Sequence, residues 1–138
     1  MPSLQERLLT VLSEVLPLEE ESDGALTVRH DGTIASLRVV TITEDLDLVS
    51  LTQILAWDLL LTKKIRDSVA KHAQSTLLGS VALMEKVGET TAKRNSSKTA
   101  DVMLRYNFPG SGLSDDALRT LILMVLDKGA EIRHALTG

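Results

Sequence analysis

Apolar residues recur along the chain at helical spacing in three segments and at the spacing of strands in five. The three helices are expected to begin after the capping residues Ser3, Thr62 and Ser114. The first cap belongs to a capping box with Glu6, and Pro17 ends that helix. The five predicted strands cover residues 25–30, 33–43, 46–57, 77–85 and 99–108.

The connections between these segments indicate how the strands pair. Asp31–Gly32 favours a type I′ hairpin turn, because both central residues of that turn need a positive φ. Glu44 and Asp45 form a second polar turn. Residues 87–98 are the longest break in the pattern, and we expect them to form a mobile hairpin loop. The third strand has a competing interpretation, since a helix over residues 48–61 fits the same apolar run.

The order of the segments, α-β-β-β-α-β-β-α, predicts an α+β fold. Short connections and two hairpins favour a two-layer structure, in which a five-stranded, mostly antiparallel sheet carries the helices on one face. The length of 138 residues predicts a single domain over residues 1–138. Residues 121–126 are apolar on all sides of the last helix, which predicts that this helix is deeply buried or covered by a second subunit.

The composition excludes several classes of protein. The chain has no cysteine, so disulfides, thiolate nucleophiles and cysteine-ligated zinc are excluded. It has one Trp, one Tyr and one Phe and a formal net charge of −4. Nucleic-acid binding is not expected, because single-strand binders stack bases on aromatic side chains, which are scarce here, and the net charge is negative. No apolar run reaches the roughly 18 residues of a membrane span and no signal peptide is recognisable, so we expect a cytoplasmic protein.

Charge is distributed unevenly between the two parts of the chain. Residues 1–58 contain 11 acidic and 3 basic residues, whereas residues 59–138 contain 8 acidic and 12 basic residues. This asymmetry favours head-to-tail contacts between two copies or attraction of a charged partner. The alternative is a solvated surface without a partner.

The candidate chemical motifs are all incomplete. The three histidines, His30, His72 and His134, lie on different predicted elements and lack the spacing of metal ligands. Glu44, Asp45 and Asp47 are an acidic cluster but lack the other ligands of a calcium loop. Gly110, Ser111 and Gly112 precede a helix but lack the rest of a phosphate-binding loop. Lys93, Arg94 and Lys98 are too few charges for a nucleic-acid contact. We therefore expect a protein without metal, cofactor or catalytic residues, which is not an enzyme.

The outer face of the sheet is the candidate interaction surface. If Leu37 and Val39 point towards the helices, their neighbours in sequence point outwards. The predicted partner-binding residues are Ile34, Arg38, Val40, Ile42, Ile54, Met84, Met103 and Arg105. An exposed apolar face rimmed by two arginines is typical of a docking surface, and methionines suit adaptable contacts. A dimer mate over this face or an inverted register, which exchanges the two faces, is the alternative.

The order of elements also resembles that of the YbjN-like family of small bacterial proteins, in the type III secretion chaperone-like fold. Two stretches carry the resemblance: LTVRHDGTIASLRVVTITEDLDLVSLTQILAWDL (26–59) and ADVMLRYNFPGSGLSDDALRTLILMVL (100–126). The resemblance implies a non-enzymatic, often dimeric domain that binds other polypeptides as a chaperone or regulator. The basic residues of 93–98 depart from the acidic character of secretion chaperones, which affects the implied secretion role but not the fold.

The residues and the resemblance together lead to one functional hypothesis and two alternatives. We expect a cytoplasmic, homodimeric protein-binding module. It would dock an extended or helical partner segment on the apolar sheet face, or by strand addition at an open edge. The alternatives are a purely structural homodimerising domain and a small-molecule binder, with its cleft between the helices and the third strand near Trp57.

Overall fold

Within residues 2–86 and 98–138, which the computed structural model describes, the chain folds into three helices and six strands. In chain order the elements are α1 (Leu4–Ser13), β1 (Leu18–Glu20), β2 (Leu26–His30), β3 (Thr33–Thr43), β4 (Leu46–Leu60), α2 (Lys63–Ser75), β5 (Ser80–Lys86), β6 (Thr99–Pro109) and α3 (Asp115–Thr137). The strands form one sheet in the order β1-β2-β3-β4-β6-β5, and all neighbouring strands are antiparallel. The predicted α+β class and antiparallel pairing are confirmed.

Local signals in the sequence explain where the helices and the first hairpin begin. The side-chain oxygens of Ser3, Thr62 and Ser114 each accept a hydrogen bond from the backbone N–H three residues further on. Asp31 and Gly32 have φ values of 47° and 84°, as the predicted type I′ turn requires. These elements form where the pattern places them, because their signals are complete within four residues of chain.

Three predictions about the strands differ from the structure. The sheet has a sixth strand, β1, whose three residues are too few to show an alternating pattern. The helix interpretation of residues 48–61 is wrong, since β4 runs to Leu60 and pairs with β3 on one side and β6 on the other. The fourth predicted strand begins at Ser80, opposite Arg105, and not at Leu77. The predicted loop 87–98 lies outside the described residues, except for Lys98.

The hydrophobic core lies between the helices and one face of the sheet. Helix α3 contacts β4, β3 and β2, and it also contacts both other helices. The largest fully buried apolar side chains of the sheet and α3 belong to one cluster: Leu26, Leu37, Leu51, Leu55, Leu104, Leu118, Ile122, Leu126 and Ile132. Met124 is exposed, so the apolar segment 121–126 is buried along one side of α3 only.

A buried amide lies between β4 and α3. The side chain of Gln53 on β4 is fully buried, and its Nε2 donates to Thr33 Oγ1 at 2.9 Å and to the carbonyl oxygen of Leu126 at 3.1 Å. Its Oε1 has no hydrogen-bond partner among the described residues. Gly129 on α3 makes room for this amide, because a Cβ there would lie 2.0 Å from Gln53 Oε1.

Candidate functional site

The sheet face opposite the helices holds most of the predicted binding residues. Ile34 on β3 lies opposite Ile54 on β4, which lies opposite Met103 on β6. Their neighbours along each strand are buried in the core, so these three side chains point away from it. We call this side of the sheet the open face. The same alternation places four more predicted residues on it: Arg38, Val40, Met84 and Arg105.

Ile42 is the predicted residue that the strand register does not place on a face. The pairing of β3 with β4 shifts between Thr41 and Thr43, so Ile42 lies in an irregularity near the tip of the hairpin. Its side chain is exposed. Ile42 lies eight residues beyond Ile34 on the same strand, and eight residues of strand span about 26 Å. Ile42 therefore lies near the end of β3 that is far from Ile54.

The open face is divided by a polar band, which the sequence pattern did not predict. Two cross-strand rows form the band: Thr27, Ser36, Thr52, Arg105 and Ser80; and Arg38, Ser50 and Asn107. Arg38 and Arg105 therefore lie within the face and do not rim it. Arg38 is also paired with Asp23, at 2.7 Å between Nη2 and Oδ2. Separate apolar areas remain around Ile54 and around Val40.

Trp57 joins the apolar area around Ile54, and the alternation pattern missed it. The pairing of β4 with β6 is irregular between Ile54 and Ala56, and Leu55 and Ala56 are both buried. Such a bulge turns the next side chain to the other face, so Trp57 lies on the open face. Trp57 is 40% exposed and does not lie between the helices and the sheet, which corrects the predicted position of the small-molecule cleft.

These observations define an apolar cluster on one half of the open face. We call it the open-face patch, and its members are Ile34, Ile54, Trp57, Met84 and Met103. Ile34 and Met103 flank Ile54 across the strands. Met84 is 49% exposed and lies opposite Asp101, next to Met103 along the ladder. The patch spans four strands, β3, β4, β6 and β5, which hold it in place.

A charged cluster borders the open-face patch. Lys86 Nζ lies 2.7 Å from Asp58 Oδ1 and 2.8 Å from Asp101 Oδ1. The backbone N–H of Asp58 donates to Asp101 Oδ1 at 3.0 Å. Asp58 has a φ of 52°, which is uncommon for a residue with a side chain, and these contacts hold it there. The bulged end of β4 that carries Trp57 is thus tied to β5 and β6.

The charged cluster shifts the pKa values of Asp101 and Lys86. Partial burial raises the pKa of Asp101, but hydrogen bonds from Lys86 and from the Asp58 N–H outweigh burial, and the net pKa lies below its ordinary value. Hydrogen bonds to Asp101 and Asp58 raise the pKa of Lys86. Because the pKa of Asp101 is lowered on folding, its ionised form stabilises the fold above the ordinary carboxyl pKa. This contribution is lost as the pH falls through the lowered value.

Substitution of Lys86 by Met is expected to raise the pKa of Asp101 towards or above its ordinary value, because burial then acts without the opposing ammonium group. The side-chain carboxyl signal of Asp101 in a ¹³C NMR titration measures this shift. Lys63→Met is the matched control, since Lys63 pairs with Asp67 on the surface of α2. An unchanged midpoint in Lys86→Met, or an equal shift in the control, contradicts the assignment.

Several of the residues considered for other chemistry have structural contacts. Within residues 2–86 and 98–138, no group of three His, Asp or Glu side chains is placed to hold a metal ion. His30 Nε2 lies 2.7 Å from Asp127 Oδ1 and so links β2 to α3. The carbonyl oxygen of Ser111 accepts a hydrogen bond from Arg7. Asp47 accepts one from Thr41 Oγ1 at 2.7 Å. Lys93 and Arg94 lie outside the described residues.

The described helices agree with the expectation that no apolar run is long enough to span a membrane. Among the helices that the structure describes, none is long and apolar enough to cross a bilayer.

Comparison with solved structures shows the same architecture in YbjN from E. coli, a proposed transcription regulator. The match covers 96% of this chain and 89% of that chain, with a TM-score of 0.58 and 10% sequence identity. The predicted YbjN-like fold is confirmed. The link to type III secretion chaperones stays a prediction. No protein-family model matches the sequence. No curated protein matches it in sequence either.

Proposed function

We propose that this protein is a non-enzymatic binding module, which docks an amphipathic segment of another protein on the open-face patch. The observation that supports the proposal is an apolar cluster on a sheet face that no described helix covers, with Trp57 and Met84 both well exposed. Exposed apolar clusters of this kind mark interaction sites in monomeric proteins. The regulatory role proposed for E. coli YbjN agrees with such a module.

The composition of the open-face patch suits the capture of a partner segment. Trp57 is a large and partly exposed anchor, and tryptophan is among the residues that contribute most to binding energy in interfaces. Met84 and Met103 are flexible and polarisable, so they adapt to different partner side chains. Ile34 and Ile54 form a rigid floor, because their positions are fixed by the β-ladder.

The surroundings of the patch favour an amphipathic partner segment. The polar band borders the patch on one side, with Thr52 and Arg105 nearest to Ile54 and Met103. The charged cluster of Asp58, Lys86 and Asp101 borders it on the other side. An apolar centre with a polar rim is the usual organisation of a protein interface. We place this capture in the cytoplasm, where it would serve a chaperone-like or regulatory role.

The test compares a patch variant with a matched surface variant. Trp57→Ser combined with Met84→Asp changes exposed patch residues, and Leu77→Asp changes a residue that is 88% exposed between α2 and β5. Peptides are selected against the wild-type protein from a displayed library, and their affinities are measured by fluorescence anisotropy. We expect the double variant to bind selected peptides at least about thirtyfold more weakly, the loss typical of an interface hot spot. Leu77→Asp should bind them normally.

Three results bear on the proposal. Circular dichroism and thermal unfolding first check that the variants are folded. Failure to select any peptide, or an equal loss of affinity in Leu77→Asp, contradicts the open-face patch as the docking site. A wild-type dimer in sedimentation that becomes monomeric in the double variant and binds no peptide favours the structural alternative, in which a second copy covers the patch.

A further inference from the structure

One strand of the sheet extends beyond its outer neighbour. β2 pairs with β3 only as far as Leu26 opposite Leu37, whereas β3 continues to Thr43 and stays paired with β4. Just before Leu26 the chain turns at Gly24, where φ is 90°. Residues 38–43, which we call the β3 overhang, therefore have β4 on one side and, among the described residues, no strand on the other.

The hairpin geometry determines which backbone groups of the overhang face outwards. His30 and Thr33 close a two-residue turn, so they form a hydrogen-bonded pair. Hydrogen-bonded pairs recur at every second residue, so Leu37 also directs its N–H and C=O towards β2. By the same two-residue period, Val39 and Thr41 direct their backbone N–H and C=O groups to the edge of β3 that faces β2. β2 has already ended at this point, so these groups have no strand opposite them. The overhang thus presents backbone donors and acceptors without a neighbouring strand.

A groove of about 520 Å³ runs along this edge. Its walls are Gln5 of α1, the turn of residues 23–25 and residues 38–41 of the overhang. Gln5 Nε2 donates to the carbonyl oxygen of Gly24 at 2.6 Å, which fixes the wall opposite the strand. The groove lies in line with β2, beside residues 38–41 of β3. A segment bound in it would therefore occupy the position that a longer β2 would take next to β3.

The two outer edges of the sheet are less suited to accept a strand. β1 has three residues and follows Pro17, and short strands and prolines are common protections of sheet edges. β5 carries Glu85 and Lys86 and packs against α2. The overhang has the sequence Val-Val-Thr-Ile-Thr after Arg38, and such uncharged β-branched residues favour strand pairing.

Negative charge flanks the overhang at both ends. Residues 19–23 and 44–47 carry seven carboxylates and no basic side chain. Two of them are in ion pairs, Glu19 with Arg29 and Asp23 with Arg38, so the other five carry the excess negative charge. The backbone N–H of Ala25 and the guanidinium of Arg38 hold the pKa of Asp23 below its ordinary value, so this carboxylate is ionised at neutral pH. The field at this edge therefore attracts a positively charged segment.

We propose that the β3 overhang binds a basic, extended segment of a partner protein by strand addition, with main-chain hydrogen bonds to Val39 and Thr41. This site goes beyond the proposed function, since it lies on an edge of the sheet and uses no residue of the open-face patch. Four residues of bound strand, about 13 Å, fill the groove along residues 38–41. Lysine or arginine on either side of them reaches the carboxylates at the two ends.

The experiment titrates a fluorescein-labelled peptide, a Val-Thr repeat with Lys-Arg flanks, into the full chain at low ionic strength. A matched peptide carries Glu at the flanking positions. Thr41→Pro removes an outward N–H, and Thr41→Val keeps it while losing the same hydroxyl. We expect the basic peptide to bind and the acidic peptide to fail. Thr41→Pro should weaken binding about tenfold relative to Thr41→Val. Added salt should weaken it further.

The outcomes separate this site from the open-face patch. The Trp57→Ser/Met84→Asp variant should bind the basic peptide as the wild type does, and amide exchange at Val39 and Thr41 should slow in the complex. Equal binding of the acidic peptide, or affinity that Thr41→Pro leaves unchanged, overturns the proposal. A wild-type dimer that Thr41→Pro dissociates, without peptide binding, shows that a second copy occupies the edge and likewise overturns a basic partner.

Discussion

Replacement of Gln53 by Glu is expected to lower the free energy of unfolding by about 3–5 kcal/mol at pH 7. The Gln53 side chain is fully buried, and its Nε2 donates to a hydroxyl and to a backbone carbonyl. A carboxylate has nearly the same shape but no donor. It would place a negative charge about 3.1 Å from the carbonyl oxygen of Leu126, where the amide now donates. Neither hydrogen-bond partner of Gln53 carries a positive charge to compensate it.

The loss of stability should depend on pH. Burial raises the pKa of the introduced carboxyl group, because the charged form is poorly solvated in the core. The penalty is absent where this group is protonated in both states, and it grows as the pH rises past the pKa of the unfolded chain. Urea unfolding followed by circular dichroism at pH 4 and pH 7 should therefore show a small difference from the wild type at pH 4 and a large one at pH 7.

Gln53→Met is the neutral control for this substitution. It removes both hydrogen bonds but leaves their partners satisfied, since Thr33 Oγ1 still donates to the carbonyl oxygen of His30 at 2.6 Å. The carbonyl of Leu126 remains an acceptor within α3. We expect a change within about 1 kcal/mol of the wild type. If Gln53→Glu is no less stable than Gln53→Met at pH 7, the site of Gln53 does not exclude a negative charge.

The parts of the fold that depend on nearby residues could be predicted from the sequence. The capping residues and the Asp31–Gly32 turn act within a few residues of chain, so their signals are complete in the sequence. β1 could not be predicted, because three residues become a strand only through pairing with β2. The strand nature of β4 was ambiguous for a similar reason. An apolar run is compatible with a buried helix or with a central strand. Only its pairing with β3 and β6 shows that it is a strand.

The candidate site could be predicted where the side chains of a strand alternate regularly between the two faces of the sheet. If Leu37 and Val39 point inwards, alternation brings Ile34, Ile54 and Met103 to one face, as the register shows. The polar band was not predictable, because it forms from strands that are distant in sequence. Trp57 was missed because a bulge adds a residue and reverses the alternation after it.

The β3 overhang could be predicted from the sequence only in part. The predicted strands 25–30 and 33–43 differ in length and share a tight turn, so an unpaired end of the longer strand follows from the sequence. The sequence does not show which edge of β3 is open. β4 pairs with one edge of β3 from Ile34 to Thr43, and that pairing is seen only in the structure. The groove also needs Gln5, which belongs to a helix more than thirty residues earlier.

Replacement of Gly129 by Ala is expected to lower the free energy of unfolding by about 2–3 kcal/mol. Alanine is normally the better helix former by about 1 kcal/mol, so helix propensity alone predicts the opposite sign. Steric overlap dominates because the new Cβ would lie 2.0 Å from Oε1 and 2.4 Å from Cδ of Gln53. The amide is held by its two hydrogen bonds, so either these bonds break or α3 moves away from β4.

A double-variant cycle and a glycine control test this explanation by urea unfolding. In the Gln53→Ala background, Gly129→Ala should be neutral or stabilising, because the overlapping atoms are gone and only the helix propensity remains. Gly112→Ala should leave stability nearly unchanged, since a Cβ there meets no atom within 4 Å. A stable Gly129→Ala protein, or an equal loss in both backgrounds, contradicts the steric explanation. Rescue by Gln53→Ala would instead show that this amide sets how closely α3 approaches the sheet.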